Sequence, residues 1–175
     1  MSKLEFSREI ELRKIPQNGH SIHERATADE LVALAKRYKL EAVVSFSVEA
    51  EISAWRKKGI EATGSVKALV RQNCVVTLDA FEQVIEETFN TLFLPAHMIK
   101  ESEDPEEDLP EALNEGIANI GELAVQVLAL GIDPHPRKPE AKFHYQESDE
   151  DDQQDQADNP FLALKGLHDK GSETK

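Results

Sequence analysis

Two long stretches of the chain alternate apolar and polar residues with a period of two. Val44, Phe46, Val48, Ala50, Ile52 and Ala54 interleave with Ser45, Ser47, Glu49, Glu51 and Ser53. After Arg56-Lys57-Lys58-Gly59 the pattern resumes as Ile60, Ala62, Gly64, Val66, Ala68 and Val70. Successive side chains of a strand point to opposite faces, so this predicts two half-buried strands joined by a basic turn, a hairpin over residues 42–72. Near the start, Leu4, Phe6, Ile10 and Leu12 alternate with Glu5, Ser7, Glu9 and Glu11, predicting a strand whose apolar row is broken by Arg8. Pro16-Gln17-Asn18-Gly19 ends it, because proline removes a donor and Asn-Gly accepts positive φ; a loop carrying His20 and His23 is expected to follow. Residues 84–94 fit either period, and their β-branched and aromatic content (Val84, Ile85, Thr88, Phe89, Thr91, Phe93) favours a strand.

Two segments follow the helical period. Thr27-Ala28-Asp29-Glu30 has the form of a capping box, with Leu31, Leu34, Ala35 and Tyr38 on one face behind it, and Lys36, Arg37 and Lys39 complement the dipole at its end. Ile117, Ile120, Leu123, Ala124, Val127 and Leu128 share the face of a second helix over residues 117–130. Its polar stripe is narrow (Asn119, Glu122, Gln126), which predicts deep burial. Gly131 is expected to close it in a left-handed cap, with Pro134 and Pro136 just beyond.

These elements predict an α+β fold: an antiparallel sheet of four or five strands built around the long hairpin and packed against the two helices. One domain is expected over residues 1–143, with a flexible acidic loop near 101–112 and order returning at Leu113 or later. Residues 144–158, dominated by Asp, Glu and Gln, are expected to be a disordered linker, and 159–168 a short apolar motif, a helix with Asn159 as N-cap and Pro160 in its first position.

The net charge of −14 argues against nucleic acid as a partner until its distribution is considered. Residues 1–100 hold 14 Lys plus Arg against 14 Asp plus Glu, and residues 101–175 hold 6 against 20, so the excess lies wholly in the C-terminal part. The N-terminal region lacks the apolar block of a signal peptide, and no run of apolar residues is long enough to span a membrane, so a soluble cytoplasmic protein is expected. The single cysteine, Cys74, can make neither an internal disulfide nor a thiolate zinc site.

No catalytic constellation emerges, and neither a cofactor nor a small-molecule substrate is expected. Of the six histidines only His20 and His23 are close, with no third ligand nearby, and Gly59 and Gly64 lack the Lys-Ser/Thr signature of a phosphate loop. Glu122 stands out as a carboxylate on an apolar helix, best explained by a cap or a salt bridge. Arg56, Lys57 and Lys58 beside Trp55 are what a nucleic-acid contact uses, charge for phosphate and an aromatic face for stacking, but the residues alone are better explained as an exposed turn carrying solubilising charge.

Three segments in order resemble the YceD family of large ribosomal RNA subunit accumulation proteins, in the manner of its alphaproteobacterial branch. Gly64-Ser-Val-Lys-Ala-Leu-Val-Arg-Gln-Asn-Cys-Val-Val-Thr-Leu78 is similar to the family's strand leading into a Cys-x-x-Cys-Leu segment. Residues 121–137 are similar to its buried helix ending in Asp-Pro-x-Pro-Arg, and Asn159-Pro-Phe-Leu-Ala-Leu-Lys-Gly-Leu167 to its C-terminal Asn-Pro-Phe-x-x-Leu signature. Cys74, Glu122, Asp133 and Pro134 fall on these motifs, while the second cysteine is Thr77 here, which removes any metal or redox role for the pair. The resemblance implies a bacterial factor in large-subunit rRNA accumulation and ribosome assembly without known catalysis. Its expected partner is large-subunit rRNA, met by Trp55, Arg56, Lys57, Lys58, Arg71 and Arg137, with Asn159, Pro160, Phe161, Leu164 and Leu167 as a docking peptide. The alternative partner is a basic large-subunit ribosomal protein, held by the acidic segments and by Phe161, Leu164 and Leu167 as a helix-in-groove anchor.

Overall fold

The computed structural model describes residues 4–56, 58–99 and 109–142. The expected hairpin forms as β3 (Ala42–Trp55) and β4 (Gly59–Asn73), in register from Trp55↔Gly59 to Ala42↔Arg71 with one irregularity between Val43 and Ser45. The segment read as ambiguous is a strand, β5 (Ala80–Pro95), antiparallel to β4 from Ile60↔Phe93 to Asn73↔Ala80 without a break. With β1 (Glu9–Glu11), β2 (His20–Arg25), β6 (Glu111–Leu113) and β7 (Ile117–Asn119), the described strands form a five-stranded sheet of order β2-β3-β4-β5-β6 and a two-stranded ribbon, β1-β7.

The architecture is α+β as expected. Helices α1 (Ala28–Tyr38) and α2 (Ile120–Gly131) both cover the face that carries Val48, Ile52, Ile60, Val66, Val70, Ile85 and Phe89, α1 over β3 and α2 over β4 and β5. Period-two alternation sends those apolar side chains inward and leaves the opposite face polar. The capping box forms as expected: the Thr27 hydroxyl accepts from the Glu30 amide, and the Glu30 carboxylate accepts from the Thr27 amide at 2.8 Å. Between the helices, the Tyr38 hydroxyl donates to the Val125 carbonyl at 2.5 Å, and burial pushes its pKa up to about 12.

Several expectations are corrected. The N-terminal strand is confined to Glu9–Glu11; before it the chain runs as an arm that plants Phe6 in the core, edge-on to Phe46 at 5.1 Å between ring centres. The loop expected after Gly19 is β2, an edge strand whose only large apolar residue is Ile22, so period and propensity gave no strand signal there. Residues Ile117–Asn119 are not the first turn of a helix but β7. The helix starts at Ile120 because the Asn119 carboxamide accepts from the Glu122 amide at 3.1 Å, a side-chain cap in place of a continued turn.

Gly131 does not adopt a left-handed conformation: it is the last helical residue and is followed by Ile132 in extended geometry. Its lack of a side chain is required by packing, since a Cβ there would lie 2.4 Å from Ile85 Cγ2. The sheet is not wholly antiparallel, because β6 runs parallel to Phe93–Pro95. Order is therefore already present at Glu111, inside the segment expected to be loop. The expected linker at 144–158 and the apolar motif at 159–168 lie outside the described residues.

Candidate nucleic-acid interface

At the hairpin tip the Lys58 amide donates to the Trp55 carbonyl at 3.0 Å, closing a turn in which Arg56 adopts φ 46°. A left-handed residue other than glycine carries a steric cost of about 1–2 kcal/mol. The Arg56 guanidinium lies 4.5 Å from the centre of the half-buried Trp55 ring, a cation–π contact that offsets part of this cost. Trp55 therefore carries a cation on its ring, and Arg56 and Lys58 are exposed around it.

One further cation that sequence spacing did not associate with the hairpin, Arg13, lies near it. Leu12 and Arg13 of the short 3-10 turn Leu12–Lys14 line an open cleft of about 660 Å³ together with Glu11, Ala54, Glu115 and Gly116. Arg13 and Lys14 in this turn are 84% and 70% exposed. Both reach back to Glu11, at 2.7 and 2.6 Å, and hold its carboxyl below the usual range, led by Lys14. Their one signal in the sequence is the adjacent pair Arg13-Lys14; the cleft that Arg13 shares with Ala54 includes Glu11 and Ile117 of the β1-β7 ribbon.

Arg71 and Arg137 are not part of this cluster. Arg71 lies twelve residues from Gly59 along β4, about 40 Å at a rise of about 3.3 Å per residue. It is engaged across the sheet with Glu82 at 2.8 Å. Arg137 is exposed in the segment after α2, which packs against the turn following β4: the Val75 amide donates to the Pro136 carbonyl at 2.9 Å, and the Gln72 side-chain amide to the Asp133 carbonyl at 3.2 Å.

Two of the sequence motifs are thereby joined. Cys74 is fully buried between them, its sulfur facing the Lys138 amide at 3.5 Å. Hydrogen bonding, led by the Thr77 hydroxyl, pulls its thiol down to about 7. The Asp133 carboxylate accepts from the His135 amide at 2.8 Å, tightening the turn around exposed Pro134. Glu122 is paired, as its position on an apolar helix required, with Arg37 of α1 at 2.8 Å. His20 and His23 sit on edge strand β2, His23 against Glu49 at 2.8 Å. Among the described residues no group of three His, Cys, Asp or Glu is placed to hold a metal.

The open face of the sheet is a poor surface for phosphate. The register puts Glu49, Glu51, Glu61, Glu82 and Glu86 on it against Arg25, Lys67 and Arg71, and Lys67 and Arg71 are paired with Glu86 and Glu82. No helix among the described residues is long and apolar enough to cross a membrane.

The class defined by the described residues is a small α+β protein with a five-stranded sheet, a two-stranded ribbon, two helices on one sheet face, and exposed charge at its candidate interface. Residues 62–168 match the family described as Large ribosomal RNA subunit accumulation protein YceD. The chain belongs to that family, and its general role is in large-subunit ribosomal RNA accumulation, within ribosome biogenesis. The matched span takes in β4 from Ala62 onward, the Cys74 turn, α2 and residues 159–167; the hairpin tip and the Arg13-Lys14 turn precede it. No curated protein and no solved structure matches the chain.

Proposed function

We propose that this chain is a non-enzymatic cytoplasmic factor in the accumulation and processing of large-subunit rRNA and in ribosome assembly, and that it contacts rRNA with the hairpin end of its sheet. The observation that carries this reading is the hairpin tip, where exposed Arg56 and Lys58 flank Trp55 with Lys57 adjacent in sequence and Arg13 shares a cleft with the neighbouring Ala54, while the open sheet face is net acidic. Cations displace counterions from phosphate and an aromatic ring offers a stacking face, so one compact end supplies both elements of RNA binding. Five phosphate contacts would make log K fall with log salt with a slope of about −3.5 to −4.5. The test is crosslinking and pull-down of the full chain with and without nuclease. Large-subunit rRNA is retained after protein removal, and Lys57→Glu with Lys58→Glu abolishes retention; undiminished retention by that variant overturns the reading.

The second reading is an adaptor for a basic large-subunit ribosomal protein. It draws on the acidic balance of residues 101–175, with 6 Lys plus Arg against 20 Asp plus Glu, and on Phe161, Leu164 and Leu167 as an apolar anchor. Under it a basic ribosomal protein remains bound after nuclease treatment, and charge reversal at the tip leaves function intact.

A further inference from the structure

Strand β5 has 16 residues, and among the described residues only Phe93–Pro95 meet a neighbour on the side away from β4. From Ala80 to Leu92 that edge presents its outward amides and carbonyls without a strand partner among the described residues. Edge strands are normally short, bulged, interrupted by proline or studded with lysine, because an open ladder templates further pairing. The opposite edge follows this rule, since β2 spans only His20–Arg25. The β5 edge lacks all of these and is guarded by acidic charge alone: its register with β4 is unbroken, its one proline is Pro95, and it contains no Lys or Arg.

What it carries instead is acid. Glu82 and Glu86 stand on the open face and Glu87 on the helix side, next to Gly131, with Val84 57% exposed between the first two. Like charges placed opposite each other destabilise a strand pair, and a second copy of β5 would set glutamates against glutamates in its central antiparallel registers. The acidic segments of the chain itself are repelled in the same way, since 101–108 contains Glu101, Glu103, Asp104, Glu106, Glu107 and Asp108, and 144–158 is dominated by Asp and Glu; 159–175, with Lys165, Lys170 and Lys175 against Asp169 and Glu173, lacks the run of alternating cations that Glu82 and Glu86 call for. An extended segment with lysine or arginine at alternate positions meets the opposite condition: its backbone completes the ladder, its cations face Glu82 and Glu86 on the open face with their methylene stems beside Val84, and small apolar residues at the intervening positions point to the helix side.

We infer that the β5 edge from Ala80 to Leu92 is a docking site for an extended basic segment of a partner protein, bound by strand addition. The inference does not depend on RNA contact at the hairpin end, which is a different surface.

The test uses the full chain and a fluorescein-labelled peptide of five Lys-Val repeats at about 50 mM salt, where screening is weak. The peptide raises fluorescence anisotropy on binding and slows hydrogen exchange of the β5 amides that point away from β4. Its counterpart N-methylated at every residue, equal in charge but unable to donate to a ladder, binds at least tenfold more weakly. Glu82→Lys with Glu86→Lys, checked for native circular dichroism, also weakens the Lys-Val peptide at least tenfold. The proposal is overturned if the Lys-Val peptide fails to bind, if both peptides bind alike, or if protection falls elsewhere. It is equally overturned if the outward β5 amides are already protected in the dilute free chain, or become so with protein concentration as the mass doubles. Those two results identify the occupant as the chain itself or a second copy.

Discussion

The Arg37 guanidinium on α1 grips the Glu122 carboxylate on α2 through two hydrogen bonds, Nη2 to Oε1 at 2.8 Å and Nη1 to Oε2 at 3.2 Å. Arg37 Nη1 also donates to Glu5 at 2.9 Å, so one side chain ties both helices to the N-terminal arm, and Glu122, the first of these partners, raises its pKa. A bidentate pair with both members mostly out of water resists loss of either partner, because the survivor keeps its desolvation cost.

Arg37→Ala is therefore expected to lower stability by about 2 kcal/mol, read as a shift in urea midpoint at unchanged slope. Glu122→Gln keeps a neutral hydrogen-bonding group and costs less. It leaves rRNA retention unchanged, since the role of Glu122 here is to hold α1 against α2.

A second arginine makes stability sensitive to acid. Arg8 donates to Glu30 at 2.9 Å and to Glu24 at 2.9 Å while its guanidinium lies 4.1 Å from the Phe6 ring centre. Arg8, the largest influence, holds the Glu30 carboxyl below its ordinary 4.5. A carboxyl depressed by folding contributes stability above its unfolded pKa and loses it as pH falls through the folded value. Urea unfolding between about pH 6 and 3 should show stability falling below the ordinary glutamate range. Arg8→Met should flatten that fall; a slope identical to the parent's would show that the pair does not couple to folding.

Gly64 on β4 pairs with Ala50 on β3 with no room for a side chain. A Cβ there would sit 2.2 Å from the Glu49 carbonyl oxygen and 2.8 Å from Ala50 Cα, both backbone atoms with no freedom to yield. Gly64→Ala is expected to cost about 3 kcal/mol or more, whereas Ser65→Ala, one residue on and on the open face, is close to neutral. Thermal unfolding of the two variants side by side checks the contrast.

The two ends of the sheet should separate in RNA binding. Arg13→Glu with Lys14→Glu is expected to weaken rRNA retention in the same direction as charge reversal at the tip, and to reduce the salt slope by about 1–2. Arg71→Gln, about 40 Å away and already paired with Glu82, should leave both unchanged. Competition binding at several salt concentrations reads out each variant, and equal effects from both ends would remove the case for a localised contact.

The elements legible in the chain were those whose signal is local. The hairpin over 42–72 and the helix beginning at Thr27 follow from period and capping chemistry within a few residues, and Glu122 was marked for pairing by its apolar surroundings alone. β2 and β7 were missed because a short edge strand is made by its partner: residues 20–25 carry one large apolar side chain, and Ile117–Asn119 read equally well as a helical turn until Glu9–Glu11 pairs with them. The candidate site divides in the same way. Trp55 to Lys58 could be read directly, whereas the grouping with Arg13 and Lys14 depends on how the N-terminal arm crosses the core.

Sequence alone determined the α+β class, the hairpin, the acidic balance of residues 101–175 and the family, because hydrophobic period, charge and motif order are properties of the chain. Tertiary structure decided that Arg71 and Arg137 lie at the far end from the tip, that Arg37 is the partner of Glu122, and that among the described residues β5 has no strand partner other than β4 from Ala80 to Leu92. Each of these is a distance between residues far apart in sequence, set by which strands pair and where the ladder stops.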